Sequence, residues 1–149
     1  MGKVVPINSR AKGAQGEREF ARHIHDQLGI RLVRNLEQTR SGGHDLVPAP
    51  HESGPVADTL HALAIEVKRH SKARNATIQG FWAQTRAQAK ASGKTPVLAY
   101  REDRQPWRVV VPMCLVNPLL HKSHDLAWCA TLSIEGFCCV IRERAFKWG

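Results

Sequence analysis

The sequence lacks any long hydrophobic run. Its longest apolar stretch, Val109–Val116, is interrupted by Pro112 and is far shorter than the roughly 18–20 residues that a membrane-spanning helix needs. The first residues, Met1–Pro6, also lack the apolar core of a secretory signal peptide. We therefore expect a cytoplasmic protein with no membrane partner.

Cysteine is scarce and confined to one part of the chain. All 4 cysteines lie in the last quarter, and none belongs to a C-x-x-C pair. Without a secretory signal, we interpret them as reduced thiols. A zinc site is the alternative, although its spacing matches no common zinc-binding pattern. Its ligands would be Cys114, His121, His124 and Cys129.

Carboxylate residues are outnumbered by cations. The 149 residues contain 22 Lys and Arg but only 13 Asp and Glu, which gives a net charge of +9 and a pI of ≈ 10.0. This balance favours a polyanionic partner such as nucleic acid, because each phosphate that Lys or Arg neutralises releases counterions. A basic surface that serves only solubility is the alternative. The length suits a single domain.

The hydrophobic pattern predicts an α/β domain in which helices flank a mixed central sheet. Phe20, Ile24 and Leu28 are spaced by four and lie on one face of a first helix. Pro48–Pro55 is typical of a turn-rich loop. The predicted order α-β-β-β-α-β-β comprises a helix over 14–28, strands over 31–35, 44–47 and 62–68, a helix over 76–92, and a hairpin of 96–100 with 107–111. Beyond Pro112 we expect a short helix over 113–120 and a final strand over 137–142.

Two charged residues stand on a strand that alternates cleanly. Glu66 and Lys68 are two residues apart, so both side chains leave the face opposite to Ile65 and Val67. Such a pair lies either on a solvated face or in a polar site. A surface salt bridge worth about 0–1 kcal/mol is the less informative alternative.

Two further carboxylates complete a candidate site. Asp45 opens the strand over 44–47, and Glu17 lies on the predicted buried side of the first helix. If both converge with Glu66, they form the oxygen-rich site that Mg²⁺ prefers. Lys68 would orient or deprotonate a water, or neutralise charge on phosphorus. These are the parts that phosphodiester hydrolysis needs. Asp45 as an ordinary turn residue is the alternative.

The order of these motifs resembles the PD-(D/E)XK nuclease superfamily and, within it, the archaeal-type Holliday junction resolvases. The similarity spans roughly residues 11–112 and is most specific in the opening helix and in the I-E-V-K strand. The matching segments are Lys12–Phe20, Leu32–Arg34, Ser41–Gly43, Asp45–Val47, Ile65–Lys68, Pro96–Ala99 and Trp107–Val109. The sequence departs from the family in its long segment 48–60 and in residues 113–149, which have no counterpart.

The resemblance implies a restriction-endonuclease-like fold and a catalytic set. Glu17, Asp45 and Glu66 would bind Mg²⁺ or Mn²⁺, and Lys68 would be a catalytic lysine. The family acts as a homodimer that nicks opposing strands of a four-way DNA junction. Its phosphate-contacting positions correspond to Arg18 and Arg34, and Ser41 is a hydroxyl next to the site.

Other residues extend the predicted DNA-binding surface, and some positions stay open. We expect DNA contacts from Arg40 and from a basic cluster directly after the metal-binding strand: Arg69, Lys72 and Arg74, with His70 beside them. A solvated loop is the alternative for that cluster. Glu19 is the alternative to Glu17, although phase and family match favour Glu17. His44 is either a second ligand or a solvent-facing strand residue.

The sequence therefore predicts a basic arm over 1–12, a nuclease core over 13–112 and a C-terminal extension over 113–149 packed on the same domain. The predicted activity is metal-dependent hydrolysis of branched DNA, with a Holliday junction as the expected substrate. A repair nuclease that prefers flaps or duplexes is one alternative. A non-catalytic nucleic-acid-binding module on the same fold is another.

Overall fold

A computed structural model describes residues 9–35 and 45–148 of the chain. The helices are α1 (Ser9–Leu28), α2 (Pro55–His61), α3 (Asn75–Ser92), α4 (Met113–Val116) and α5 (Ile134–Glu143), and a π-helical segment follows at Arg144–Trp148. The strands are β1 (Leu32–Arg34), β2 (Leu46–Pro48), β3 (Leu63–His70), β4 (Thr95–Glu102), β5 (Arg108–Pro112) and β6 (Cys129–Leu132). Within the described ranges, no helix has the length and apolar character needed to cross a membrane.

The six strands form one sheet in the order β1-β2-β3-β4-β5-β6. β3 and β4 are parallel, and α3 joins them, because two parallel neighbours need a long crossover connection. The other neighbouring pairs are antiparallel. α1 and α5 pack on one face of the sheet and α3 on the other. The predicted fold class, a mixed sheet flanked by helices, is confirmed.

Strand alternation divides the hydrophobic core into two layers. Phe20 of α1 packs with Val67 and Val109 on one face of the sheet. Trp82 of α3 packs with Leu98 on the other face. The central strands are consequently covered on both sides, and the side chains of β3 are buried from Leu63 to Val67 on either face.

The first helix starts earlier than the sequence predicts. α1 begins at Ser9, inside the segment expected to be a flexible arm. The Lys12 ammonium lies 3.1 Å from an Asp103 carboxylate oxygen, which ties the beginning of α1 to the turn after β4. The prediction of an arm is therefore wrong for residues 9–12, and residues 1–8 lie outside the described part of the chain.

The final strand expected over 137–142 is wrong, because these residues belong to α5. The sequence Phe-Cys-Cys-Val-Ile is rich in strand-forming residues, but tertiary packing selects the helix. The Ser133 side chain caps α5 by accepting a hydrogen bond from the Gly136 N–H at 3.0 Å. The buried residues follow helical spacing: Ile134, Phe137, Cys138 and Ile141.

Two short elements have no counterpart in the sequence-based prediction. α2 directly follows the expected loop and carries Pro55 in its first turn, where no intrahelical N–H bond is lost. β6 extends the sheet beyond β5 and pairs with it from Val109 to Pro112. The hairpin of β4 and β5 and the long helix α3 have nearly the predicted bounds.

Replacing Phe137 by alanine tests whether α5 is an integral part of the fold. The Phe137 ring is fully buried, 6.3 Å from the Phe20 ring. We expect Phe137→Ala to lower the free energy of unfolding by about 3–5 kcal/mol in urea titrations. Phe146→Ala is the matched control, because Phe146 is 71% exposed, and it should change stability by less than about 0.5 kcal/mol. Equal effects of the two substitutions would contradict this packing.

Candidate active site

The candidate site begins on β3, where the alternation of the strand places opposite chemistry on its two faces. Ile65 and Val67 enter the core beneath α1. Glu66 and Lys68 therefore leave β3 on the face covered by α3, as the sequence predicts. Glu66 is only 4% exposed. A carboxyl group this deeply buried needs a compensating partner.

Asp45 is brought next to Glu66 by the pairing of β2 with β3. The Asp45 N–H donates to the Ile65 carbonyl oxygen at 2.9 Å, just before β2 begins. The Val67 N–H in turn donates to Asp45 Oδ2 at 2.8 Å. The Asp45 side chain thus accepts the hydrogen bond that the backbone carbonyl of a paired strand residue would otherwise accept. Its carboxylate is held against the backbone of β3, within hydrogen-bonding reach of the Glu66 side chain.

The two carboxyl groups strongly affect each other's ionisation. Burial and, after it, the neighbouring Asp45 charge raise the pKa of Glu66 to about 8, against the Lys68 ammonium, which lowers it. Burial also raises the pKa of Asp45 to about 6, against the hydrogen bond from Val67, which lowers it. Near neutral pH the pair therefore holds about one proton, because the Lys68 ammonium, which lowers both pKa values, only partly offsets the burial of the two carboxyl groups.

The donor set fits a divalent cation. Glu66 Oε2 is buried and has no hydrogen-bond partner in the described part of the chain. A buried carboxylate oxygen without a partner, beside a second carboxylate, matches the oxygen ligands that Mg²⁺ and Mn²⁺ accept. A bound divalent ion would compensate the charge of the two carboxylates. Without the ion, the proton held by the pair reduces that charge.

Lys68 completes the polar cluster on the α3 side. Its ammonium lies 3.4 Å from Glu66 Oε1 and 5.5 Å from the centre of the Phe81 ring of α3. The side chain is 26% exposed, so the ammonium is open to solvent on one side. The contact with Phe81 depends on how α3 packs on β3, and no local sequence pattern indicates it.

Glu17 lies beside this cluster but has a different immediate partner. Its Oε2 accepts a hydrogen bond from Arg34 Nε at 3.0 Å. The Glu17 charge is near enough to raise the pKa of Asp45. Among the described residues, however, no three His, Cys, Asp or Glu side chains are grouped so as to hold one metal ion. Asp45 and Glu66 come together, whereas Glu17 remains paired with arginine.

The predicted DNA contacts fall into three groups. Arg18 and Arg34 line a cleft of about 270 Å³ together with Glu17. Lys72 and Arg74 are exposed in the segment between β3 and α3. Arg40, Ser41 and His44 lie outside the described residues.

Arg69 has a structural setting that its place in the predicted basic cluster did not indicate. Its guanidinium contacts Glu19 at 2.7 Å and Asp103 at 3.0 Å, and the side chain is only 12% exposed. Arg101 binds the same Glu19 carboxylate at 2.7 Å. Arg69 is therefore committed to joining α1 to β3 and to the turn after β4. This ion pairing makes Arg69 unsuitable as a DNA contact. The Glu19 carboxylate is bound by Arg69 and Arg101, so it does not join Asp45 and Glu66.

Gly16 makes this ion-pair network possible. A β-carbon at Gly16 would lie 2.5 Å from Arg69 Cγ, so only glycine lets α1 approach this side chain. Glycine inside a helix costs about 1 kcal/mol relative to alanine. A glycine inside this helix, one residue before Glu17, is a sequence signal for a close contact that was missed.

The alternative zinc site finds no support among the described residues, since no cluster of ligands suited to a metal includes Cys114 or Cys129. The Cys129 thiol lies 3.4 Å from the Asp125 carbonyl oxygen and is a weak donor to it. Burial raises the pKa of Cys129 and of Cys138 to about 11, which keeps both thiols protonated at neutral pH.

Two comparisons with known proteins give a match. The family model described as "Phage putative PDDEXK endonuclease" matches residues 8–141. Among solved structures, the chain is similar to Archaeoglobus fulgidus Hjc, a Holliday junction resolvase, with 18% identity, a TM-score of 0.47, and coverage of 86% of this chain and 96% of that one. The search of curated proteins gives no match. The predicted superfamily is confirmed: the chain belongs to the phage PDDEXK endonuclease family.

Proposed function

We propose that this chain is a divalent-metal-dependent DNA endonuclease that hydrolyses phosphodiester bonds in branched DNA, with the four-way junction as its substrate. The observation that carries the proposal is geometric: Glu66 is buried, Asp45 is held beside it by the Val67 N–H, and the Lys68 ammonium lies 3.4 Å from Glu66 Oε1. Membership of an endonuclease family supports the same reaction class.

Asp45 and Glu66 are the residues that would hold Mg²⁺ or Mn²⁺, and Glu17 would join them if it exchanged its contact with Arg34. A divalent cation bound there supplies a Lewis acid that stabilises charge on a phosphate and lowers the pKa of water. The carboxyl pair has to lose its shared proton for this binding, because metal ligands are deprotonated. The Val67 N–H keeps the Asp45 carboxylate oriented throughout.

Lys68 provides the positive charge that belongs to the chain itself. Its contacts with Glu66 and with the Phe81 ring hold the ammonium at one side of the carboxyl pair. An ammonium in this position stabilises the negative charge that develops on the phosphoryl oxygens during displacement. Arg18 and Arg34, in the adjoining cleft, are suited to hold neighbouring phosphates and so fix the register of the DNA.

The preference for branched DNA rests on the motif order shared with the archaeal-type resolvases and on the net charge of +9. A junction presents several backbone arms to one basic protein, which increases the number of phosphate contacts over a linear duplex. We further propose that the protein acts as a homodimer, since symmetric cuts in two strands need two active sites.

Replacing Asp45 and Lys68 tests the assigned roles. We expect Asp45→Asn and Lys68→Ala each to reduce cleavage in Mg²⁺ by a factor on the order of 10³ or more, because each removes a group that acts on the reacting phosphate. Junction binding, measured by gel shift without metal, should stay within several-fold of the wild type.

Lys147→Ala is the matched control for the loss of a lysine. Lys147 is exposed, and among the described residues its one ion pair is with Glu143, so this variant should cut at the wild-type rate. Cleavage at the wild-type rate by either Asp45→Asn or Lys68→Ala would contradict the proposed site.

A substrate panel tests the proposed specificity. Labelled four-way junction, flap, linear duplex and single-stranded DNA are incubated with the protein in Mg²⁺ and, separately, in EDTA. We expect paired symmetric nicks in the junction in Mg²⁺ and no cleavage in EDTA. Equal cutting of duplex would show a nuclease without junction preference, and binding without cleavage in any metal would show a non-catalytic module.

A further inference from the structure

A group of basic side chains, separate from the candidate active site, lies between α3 and the segment that precedes β6. It is a cavity of about 560 Å³, and its charged lining is entirely positive or neutral. Arg86 and Lys90 come from α3, Lys94 from the turn that follows α3, and His124 from the opposite wall. None of these residues belongs to the Asp45–Glu66–Lys68 site.

The walls of the cavity are held together by specific contacts. The Trp82 indole N–H donates to the His124 carbonyl oxygen at 2.8 Å, from a side chain that is almost completely buried. The Arg86 guanidinium binds Asp125 at 2.7 Å on the same segment. These contacts fix residues 124 and 125 against α3, so the cavity is built by the fold.

Two of the three cations that line the cavity lack an anionic partner among the described residues, whereas Arg86 pairs with Asp125. In the described part of the chain, neither Lys90 nor Lys94 takes part in an ion pair, and α3 contains no acidic residue. Burial lowers the pKa of Lys94, which shows that its ammonium is partly desolvated without an anionic partner. Favourable interaction with the helix C-terminus accounts for Lys90. The helix C-terminus does not explain why Lys94 and Arg86 both line the same cavity.

The outer face of α3 connects this cavity with the candidate active site. Phe81, on one flank of the helix, contacts Lys68, and the cavity lies along the other flank. The exposed residues between them carry no charge: Gly80, Ala83, Gln84 and Ala87. A β-carbon at Gly80 would meet nothing within 4 Å, so the fold does not require glycine there. The outer ridge of α3 is therefore free of negative charge.

We propose that a DNA strand bound at the active site crosses the outer face of α3 and places a backbone phosphate in the cavity lined by Arg86, Lys90 and Lys94. This inference rests on the proposed function. A helix is about 10–12 Å wide, and successive nucleotides advance about 3.4 Å along a strand. The cavity also lies further along α3 than Phe81, so the second phosphate lies several nucleotides from the scissile one.

The double variant Lys90→Gln/Lys94→Gln tests this path. We expect its affinity for junction DNA, measured without metal, to fall on the order of tenfold at low salt. The log–log slope of affinity against salt should decrease by about 0.9 for the lost phosphate. Arg144→Gln/Lys147→Gln, on the C-terminal segment, removes the same charge elsewhere and should keep the wild-type slope. An unchanged slope in the Lys90/Lys94 variant would overturn the proposal.

Gly80→Leu tests the path without changing charge. Leucine has a higher helix propensity than glycine, and its β-carbon would meet no atom within 4 Å, so the melting temperature should not fall. DNA affinity should nevertheless fall several-fold, because the added side chain raises the ridge, and Gly80→Ala should have a smaller effect. Wild-type DNA affinity in Gly80→Leu would overturn the proposed crossing.

Inorganic phosphate, titrated into the wild type and the Lys90/Lys94 variant, separates a free anion from the DNA backbone. Loss of phosphate binding in the variant with an unchanged DNA salt slope would assign the cavity to a free anion and overturn the proposal. Loss of both supports it. Failure of the proposed function is distinguishable, since it appears as absence of metal-dependent cleavage by the wild type whatever the effect of these variants on DNA binding.

Discussion

The close approach of two buried carboxyl groups is the interaction on which the candidate site depends. Burial raises the pKa of both Asp45 and Glu66, and the Asp45 charge adds to the rise at Glu66. Such a pair is stable with one proton, or with a cation in its place. The fold thus holds two buried carboxyl groups at a place where a cation is stabilised. The Lys68 ammonium supplies part of that positive charge.

The rest of the architecture holds this pair in position. β3 is covered by helices on both faces, so Glu66 cannot turn into bulk water. Asp45 is fixed by the Val67 N–H where β2 departs from β3. On the opposite face, Arg69 joins α1 to the sheet through Glu19, and Gly16 permits the close contact. This network fixes the position of α1 on the sheet. It therefore also fixes the position of Glu17, which lies about one helical turn before the residues of α1 that enter the core.

The parts that could be predicted from sequence are those fixed by local pattern. The strand period puts Glu66 and Lys68 on the face opposite Ile65, and the Gly-bounded helix α3 has the expected length. Contacts between distant segments could not be predicted. The pairing of Glu17 with Arg34, the capture of Arg69 by Glu19 and Asp103, and the position of Phe81 under Lys68 all depend on tertiary packing. α5 shows the same limit, since its strand-forming residues become helical only against α1.

The most direct test of the shared-proton account is the number of protons released when Mn²⁺ or Mg²⁺ binds without DNA, measured by calorimetry in buffers of different ionisation enthalpy. The pKa of Glu66 is about 8, so the free pair carries a proton at neutral pH and gives it up to bind metal. We expect release of about one proton at pH 7, falling towards none as the pH rises above the pKa of Glu66. Metal binding without proton release at pH 7, or the same release in Glu66→Gln, would contradict it.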